Sequence, residues 1–147
     1  MSGVYRQENF SPSDNIGYLL KRCGTQLSLS VDRALAEFDM THAQLGIFLR
    51  LLNGSANTAS DLARELMTDT GAMTRMLDRL EDKAFIERSR DGDDRRVVQV
   101  KLTSKGKDLA DQMTQATISC LNHYLRGFSA TEVAQFNAFL QRMIANA

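Results

Sequence analysis

Apolar positions recur along this chain at helical spacing, and the places where that spacing breaks divide it. Across residues 14–38 they fall at Ile16, Leu20, Cys23, Leu27, Val31, Ala34 and Phe38. Steps of three and four put them on one face, so a single long amphipathic helix is expected there. Thr41-His42-Ala43-Gln44 then has the form of a capping box, a hydroxyl and an amide side chain placed to satisfy each other's backbone N–H groups. The helix it opens should face a core with Leu45, Phe48, Leu49 and Leu52, and Asn53-Gly54 should stop it. Thr58-Ala59-Ser60-Asp61 opens a short helical run carrying Leu62, Ala63 and Leu66. A polar break, Thr68-Asp69-Thr70-Gly71, leads to a helix reaching about Lys83, with Met73, Met76, Leu77 and Leu80 on one face.

There the pattern changes. Residues 84–88 and 97–102 are β-prone runs on either side of a charged, Gly-containing turn, 89–96, which reads as a β-hairpin with a long tip. Thr103 ends the second strand and can cap the next helix, whose stripe is Leu109, Met113, Ala116, Cys120, Tyr124 and Phe128. Ser129-Ala130-Thr131-Glu132 is a further capping box, ahead of Val133, Phe136, Leu140, Met143 and Ile144. The fold class is therefore mainly α with a small β-hairpin wing. Residues 1–147 read as one domain, with no repeat and no flexible linker. Within it, 41–103 form a winged helix-turn-helix reading head. The helices in 1–40 and 104–147 are too long and apolar for so small a head to satisfy, so they are expected to pack on each other and on a second copy. A helix, a turn, a helix and a basic hairpin suit duplex DNA: one helix in the major groove, the hairpin on the backbone or minor groove, two heads for two half-sites.

Charge qualifies this picture. Lys and Arg number 18 and so do Asp and Glu, a net charge of zero, which is unfavourable for phosphate binding. It also leaves room for a winged-helix module that binds protein instead. The distribution favours DNA, because residues 70–107 carry ten basic and seven acidic side chains and the remainder eight and eleven. No apolar run approaches the ~18 residues of a membrane span, and the N-terminus lacks the apolar core of a signal peptide. Cys23 and Cys120 are far apart and suit a reducing cytoplasm, so no membrane partner and a cytoplasmic location are expected. His42 and His123 are isolated and no Gly-rich phosphate loop is present. Neither a metal site, a cofactor nor an enzyme's constellation of nucleophile, base and orienter is expected.

The central stretch resembles the MarR family of winged helix-turn-helix transcriptional regulators. Asp69-Thr70-Gly71-Ala72-Met73-Thr74-Arg75-Met76-Leu77-Asp78-Arg79-Leu80 is similar to that family's recognition helix. Asp94-Arg95-Arg96-Val97-Val98-Gln99-Val100-Lys101-Leu102-Thr103 follows its wing pattern D-x-R-x-x-x-V-x-L-T, and Gly106 completes L-T-x-x-G. The resemblance covers nearly the whole chain. It implies a homodimer on a pseudo-palindromic operator in double-stranded DNA, a repressor more often than an activator. It also implies release by a small aromatic or phenolic effector bound between the dimerisation helices and the reading head. One branch of the family senses oxidants through a cysteine near the start of its first helix, which makes Cys23 a candidate redox residue. Several aromatic-acid-sensing members have an arginine where this chain has Gly46.

The candidate DNA-contacting residues are Thr68, Thr70, Gly71, Ala72, Thr74, Arg75 and Arg79 around the recognition helix, and Arg88, Arg90, Asp94, Arg95 and Arg96 in the hairpin. An arginine early in such a helix can hold guanine with two hydrogen bonds; the plain alternative is pairing of Arg75 with Asp78 or Asp82. At the wing, Asp94 is expected to brace an arginine that enters the minor groove, and the sequence leaves the choice between Arg95 and Arg96 open. His42 is a candidate for a ligand pocket whose other residues the sequence does not identify.

Overall fold

The computed structural model describes residues 3–90 and 97–147. Six α-helices and a two-stranded antiparallel sheet follow one another: α1 Ile16–Leu35, α2 His42–Asn53, α3 Ala59–Glu65, α4 Thr70–Asp82, β1 Ile86–Ser89, β2 Gln99–Leu102, α5 Ser104–Tyr124 and α6 Ala130–Ala145. The sheet pairs Ile86 with Leu102 and Arg88 with Val100. The Val100 N–H donates to the Asn57 carbonyl at 2.7 Å, so the chain entering α3 lies along β2.

Caps set most boundaries. Asn15 accepts from the Tyr18 N–H at 3.0 Å and starts α1. The long helix expected across residues 14–38 ends at Leu35 and finishes as a 3₁₀ turn, Ala36–Phe38. Thr41 with Gln44, and Ser129 with Glu132, form complete capping boxes. Thr58 accepts from the Asp61 N–H at 3.1 Å while its hydroxyl donates to the Asp61 carboxylate at 2.8 Å. That second bond, with help from Arg64, holds the Asp61 carboxyl below the usual range.

Three helical segments end alike, at residues with left-handed backbone that are not glycine: Asp39 (φ 54), Met67 (φ 51) and Ala84 (φ 59). At each, two amides reach back to free carbonyls. Asp39 and Met40 donate to Ala36 and Leu35, Met67 and Thr68 to Arg64 and Ala63, and Ala84 and Phe85 to Glu81 and Leu80. This is the Schellman closure, which usually recruits glycine. It also corrects the hairpin, for Ala84 is turning left-handed where an extended run was expected, and β1 begins only at Ile86. The second run likewise pairs only from Gln99.

Val31, Leu35, Leu45, Ile47, Phe48, Leu62, Met73, Leu77, Leu80, Ile86, Val100, Leu109 and Met113 form one core. α2 packs against α1, α5 and β2, so more than one stripe of it is covered. Ile47 is fully buried on that account, whereas Leu52, expected inside, is 43% exposed. At the start of α5, Thr103 accepts from the Gly106 N–H at 3.0 Å and its hydroxyl donates to the Ala84 carbonyl at 2.7 Å.

The terminal helices are covered least. α6 buries no residue, and Phe136, Phe139, Met143 and Ile144 on it are all exposed. Ile16 and Leu19 leave an apolar surface on the first half of α1. α5 stops at Tyr124, so Phe128 lies outside it and is exposed. No helix among the described residues is long and apolar enough to cross a membrane.

Candidate nucleic-acid interface and adjoining pocket

The interface candidate is built on α4. Its first turn is ordered by Asp69, whose Oδ1 accepts from the Ala72 N–H at 2.9 Å. Thr70 and Gly71, placed in a break by their polarity, are therefore the first residues of the helix. Met73, Leu77 and Leu80 bury one side completely. Helical geometry then turns Thr70, Gly71, Thr74, Arg75, Asp78 and Arg79 outward, and all are exposed. Ala72 is half-buried between the two faces. The Thr74 hydroxyl donates to the Thr70 carbonyl at 2.9 Å, so its oxygen remains free as an acceptor.

Arg75 and Arg79 have no ion-pair partner among the described residues. The alternative pairing of Arg75 with Asp78 or Asp82 does not form; Asp78 Oδ1 lies 2.8 Å from Arg88 Nη1 instead. A Cβ on Gly71 would lie 3.2 Å from the Asp69 cap oxygen and 3.5 Å from Arg75 Nη1, so the missing side chain leaves room for both.

Arg88 is placed differently from the other arginines. It shares the packed face of the hairpin with Ile86, opposite Val100. Its Nη1 lies 2.8 Å from Asp78 Oδ1 and 2.9 Å from Glu81 Oε2, and its backbone N–H donates to Glu81 Oε1 at 3.2 Å. Arg88 thus braces β1 against α4, and its charge is balanced inside the protein. Lys83 is also paired, through its ammonium, with the Asp39 carboxylate and carbonyl. Lys105 donates to the Lys83 carbonyl at 2.9 Å and stands 4.6 Å above the Phe85 ring. Carboxylate partners within the protein thus offset the charge of Arg88 and Lys83, two of the basic side chains counted in the sequence, while Lys105 keeps its charge. Lys83 in turn holds the Asp39 carboxyl below its usual range. The stabilisation this gives is present at neutral pH and is lost as pH falls through the lowered value. Arg90 is exposed. Asp94, Arg95 and Arg96 lie outside the described residues.

Behind the helix is a cavity of about 310 Å³ between α2, the α3–α4 turn, α4 and α5. His42, Gly46, Arg50, Thr68, Met76 and Thr117 are among the residues lining it. Thr68 therefore stands behind the exposed face of α4; it is half-buried, and its hydroxyl donates to the Leu66 carbonyl at 3.3 Å. His42 Nδ1 is 2.6 Å from Ser28 Oγ, and its backbone N–H donates to Asp32 at 2.6 Å, so α1 orients the start of α2. Gly46 allows α2 to approach the end of α3, since a Cβ there would lie 3.0 Å from Leu66 Cδ2.

The pocket's cation is Arg50, whose Nε is 3.5 Å from Glu65. Sequence reasoning missed it, although it follows Gly46 by one helical turn and so shares its face. Thr117, far along the chain, carried no such signal. Cys23 is exposed on α1. Cys120 is half-buried and donates to the Ser30 carbonyl at 3.8 Å. Among the described residues no group of His, Cys, Asp and Glu could hold a metal ion.

Comparison with known proteins gives a consistent result. The sequence model of the MarR family matches residues 40–98. The chain is 31% identical over 130 residues to the Multiple antibiotic resistance protein MarR of Escherichia coli K12, covering 88% of this chain and 90% of that one. It is 30% identical over 90 residues to the HTH-type transcriptional regulator SarZ of Staphylococcus saprophyticus, covering 61% and 62% of the two chains. A crystal structure of an E. coli MarR mutant complexed with operator DNA shares the fold at a TM-score of 0.77 and 29% identity, over 87% of this chain and 92% of that one.

Proposed function

The chain belongs to the MarR family of transcriptional regulators, and from that premise we propose that it acts as a homodimeric repressor, holding a pseudo-palindromic operator until a small aromatic or phenolic effector releases it. The observation that carries the reading is α4 itself: one face is locked in the core, and the other presents Thr70, Gly71, Thr74, Arg75 and Arg79 without competing carboxylate partners among the described residues. Similarity to the operator-bound E. coli MarR mutant supports the same use of this face. In this reading α4 enters the major groove and Arg75 reads a base edge. Arg90 and the Asp94, Arg95 and Arg96 segment serve the backbone or minor groove. The exposed apolar faces of α1 and α6 join the two copies. Arg88 acts through Asp78 and Glu81, fixing the angle between wing and helix.

The test begins with an operator selected from genomic DNA fragments by the protein. Arg75→Ala is expected to weaken operator binding by about 1–3 kcal/mol and to relax the preference at one base pair per half-site. Unchanged affinity together with an unchanged preference would remove Arg75 from the interface.

The effector site of this reading is the pocket behind α4. Its apolar walls, with Arg50 and His42 at the edge, suit an aromatic ring bearing an anionic or phenolic group. By linkage, an effector that releases DNA must bind the free dimer more tightly than the operator complex. Calorimetry with a panel of phenolic acids is expected to find such a difference, and a compound with equal affinity for both forms is not an inducer. A thiol-responsive repressor is the second reading, favoured by the exposure of Cys23. It would replace the first if peroxide released DNA from the parent protein but not from Cys23→Ser.

A further inference from the structure

Met67 is the most exposed large apolar side chain among the described residues, at 94%. It also holds a left-handed backbone, φ 51, which any residue with a Cβ adopts at a cost that glycine avoids. As at Asp39 and Ala84, two Schellman hydrogen bonds hold this conformation, from the Met67 and Thr68 N–H groups to the Arg64 and Ala63 carbonyls. They use the backbone alone. The Asp39 side chain binds Lys83 within the protein, whereas the Met67 side chain stands in solvent, open to something outside the chain.

Its position says what that is. Met67 lies two residues before Asp69, the cap of α4, and so at the end of the helix that carries Thr70, Gly71 and Arg75. It is not among the residues lining the pocket, and it belongs to neither of the apolar faces on α1 and α6. A thioether has no hydrogen-bond donor and is only a weak acceptor, so it is poorly suited to the polar edges of bases; it is a soft, flexible apolar group. The apolar feature that the major groove displays is the C5-methyl of thymine. We propose that Met67 is a further DNA-reading residue, packing its side chain against a thymine methyl beside the point where α4 enters the groove. The inference rests on the DNA-binding reading above and adds to it a preference for thymine at one position of each half-site.

The experiment compares the parent protein, Met67→Gly and Met67→Leu on the selected operator by fluorescence anisotropy. The operator is also made with each thymine replaced in turn by deoxyuridine, which removes the methyl group alone. Met67→Gly is expected to melt no lower than the parent, because glycine suits the left-handed position, yet to bind the operator roughly 5- to 10-fold more weakly. Met67→Leu should bind nearly as the parent does. One deoxyuridine per half-site should weaken the parent about 3-fold and leave Met67→Gly unaffected. Equal binding by Met67→Gly overturns the proposal, as does weaker binding with no thymine coupled to residue 67. A parent protein that bound no duplex would overturn the DNA reading itself, and this contact with it.

Discussion

Gly106→Ala is expected to destabilise the protein by roughly 3 kcal/mol, at the upper end of what overpacking costs. The new Cβ would collide with the carbonyl oxygen of Phe85, while Leu102 Cδ2 stands 3.2 Å away on another side. A leucine tip could turn aside, but the Phe85 peptide cannot. The Phe85 N–H closes α4 on Leu80, and its carbonyl accepts from the Thr103 N–H at 3.1 Å and from the Thr103 hydroxyl at 3.2 Å. Relief of the clash therefore requires breaking the joint where α4, β1 and α5 meet, or moving the cap that starts α5. Thermal unfolding followed by circular dichroism should show a midpoint lower by about 10 °C. A midpoint within a degree or two of the parent would mean that the start of α5 shifts freely and that Thr103 and Gly106 do not fix it.

Removing residues 129–147 should convert a dimer into monomers or aggregate. α6 buries none of its side chains within its own chain, yet carries Phe136, Phe139, Met143 and Ile144. Exposed apolar surface of this kind, present also at Ile16 and Leu19 of α1, is what a second copy would cover. Loss of the dimer separates the two reading heads. The second half-site is then no longer bound at high effective concentration, and operator affinity should fall by about 100-fold or more. Sedimentation and anisotropy on the same preparation check both effects. A truncated chain that sediments as a stable dimer and holds the operator normally would place the interface elsewhere.

What could be read in the sequence was what is local. The capping boxes at Thr41 and Ser129 and the N-cap at Thr103 depend on partners three residues away, and each formed. The buried face of α4 followed from helical periodicity alone. The failures have a common cause in contacts made across the fold. The two carboxylates that hold Arg88 come from another element, so its inward position could not be seen among its neighbours. Asp39 and Lys83 meet across 44 residues. The left-handed turns at Met67 and Ala84 gave no warning, because the residue that usually marks them is glycine. The pocket draws His42, Arg50 and Thr117 from separate helices and has no linear signature.

Arg75 and Met76 are consecutive residues with opposite duties: the first stands on the outer face of α4, the second on the wall of the cavity behind it. In the proposed mechanism an operator and an effector thus grip one rigid rod from two sides, and each weakens the other's hold by the same factor. The strength of an operator then sets how much effector is needed to clear it. Genes behind weak operators would be switched on at low doses and genes behind strong ones only at high doses. A single regulator could in this way impose an order of expression written in promoter sequence, with no change to the protein.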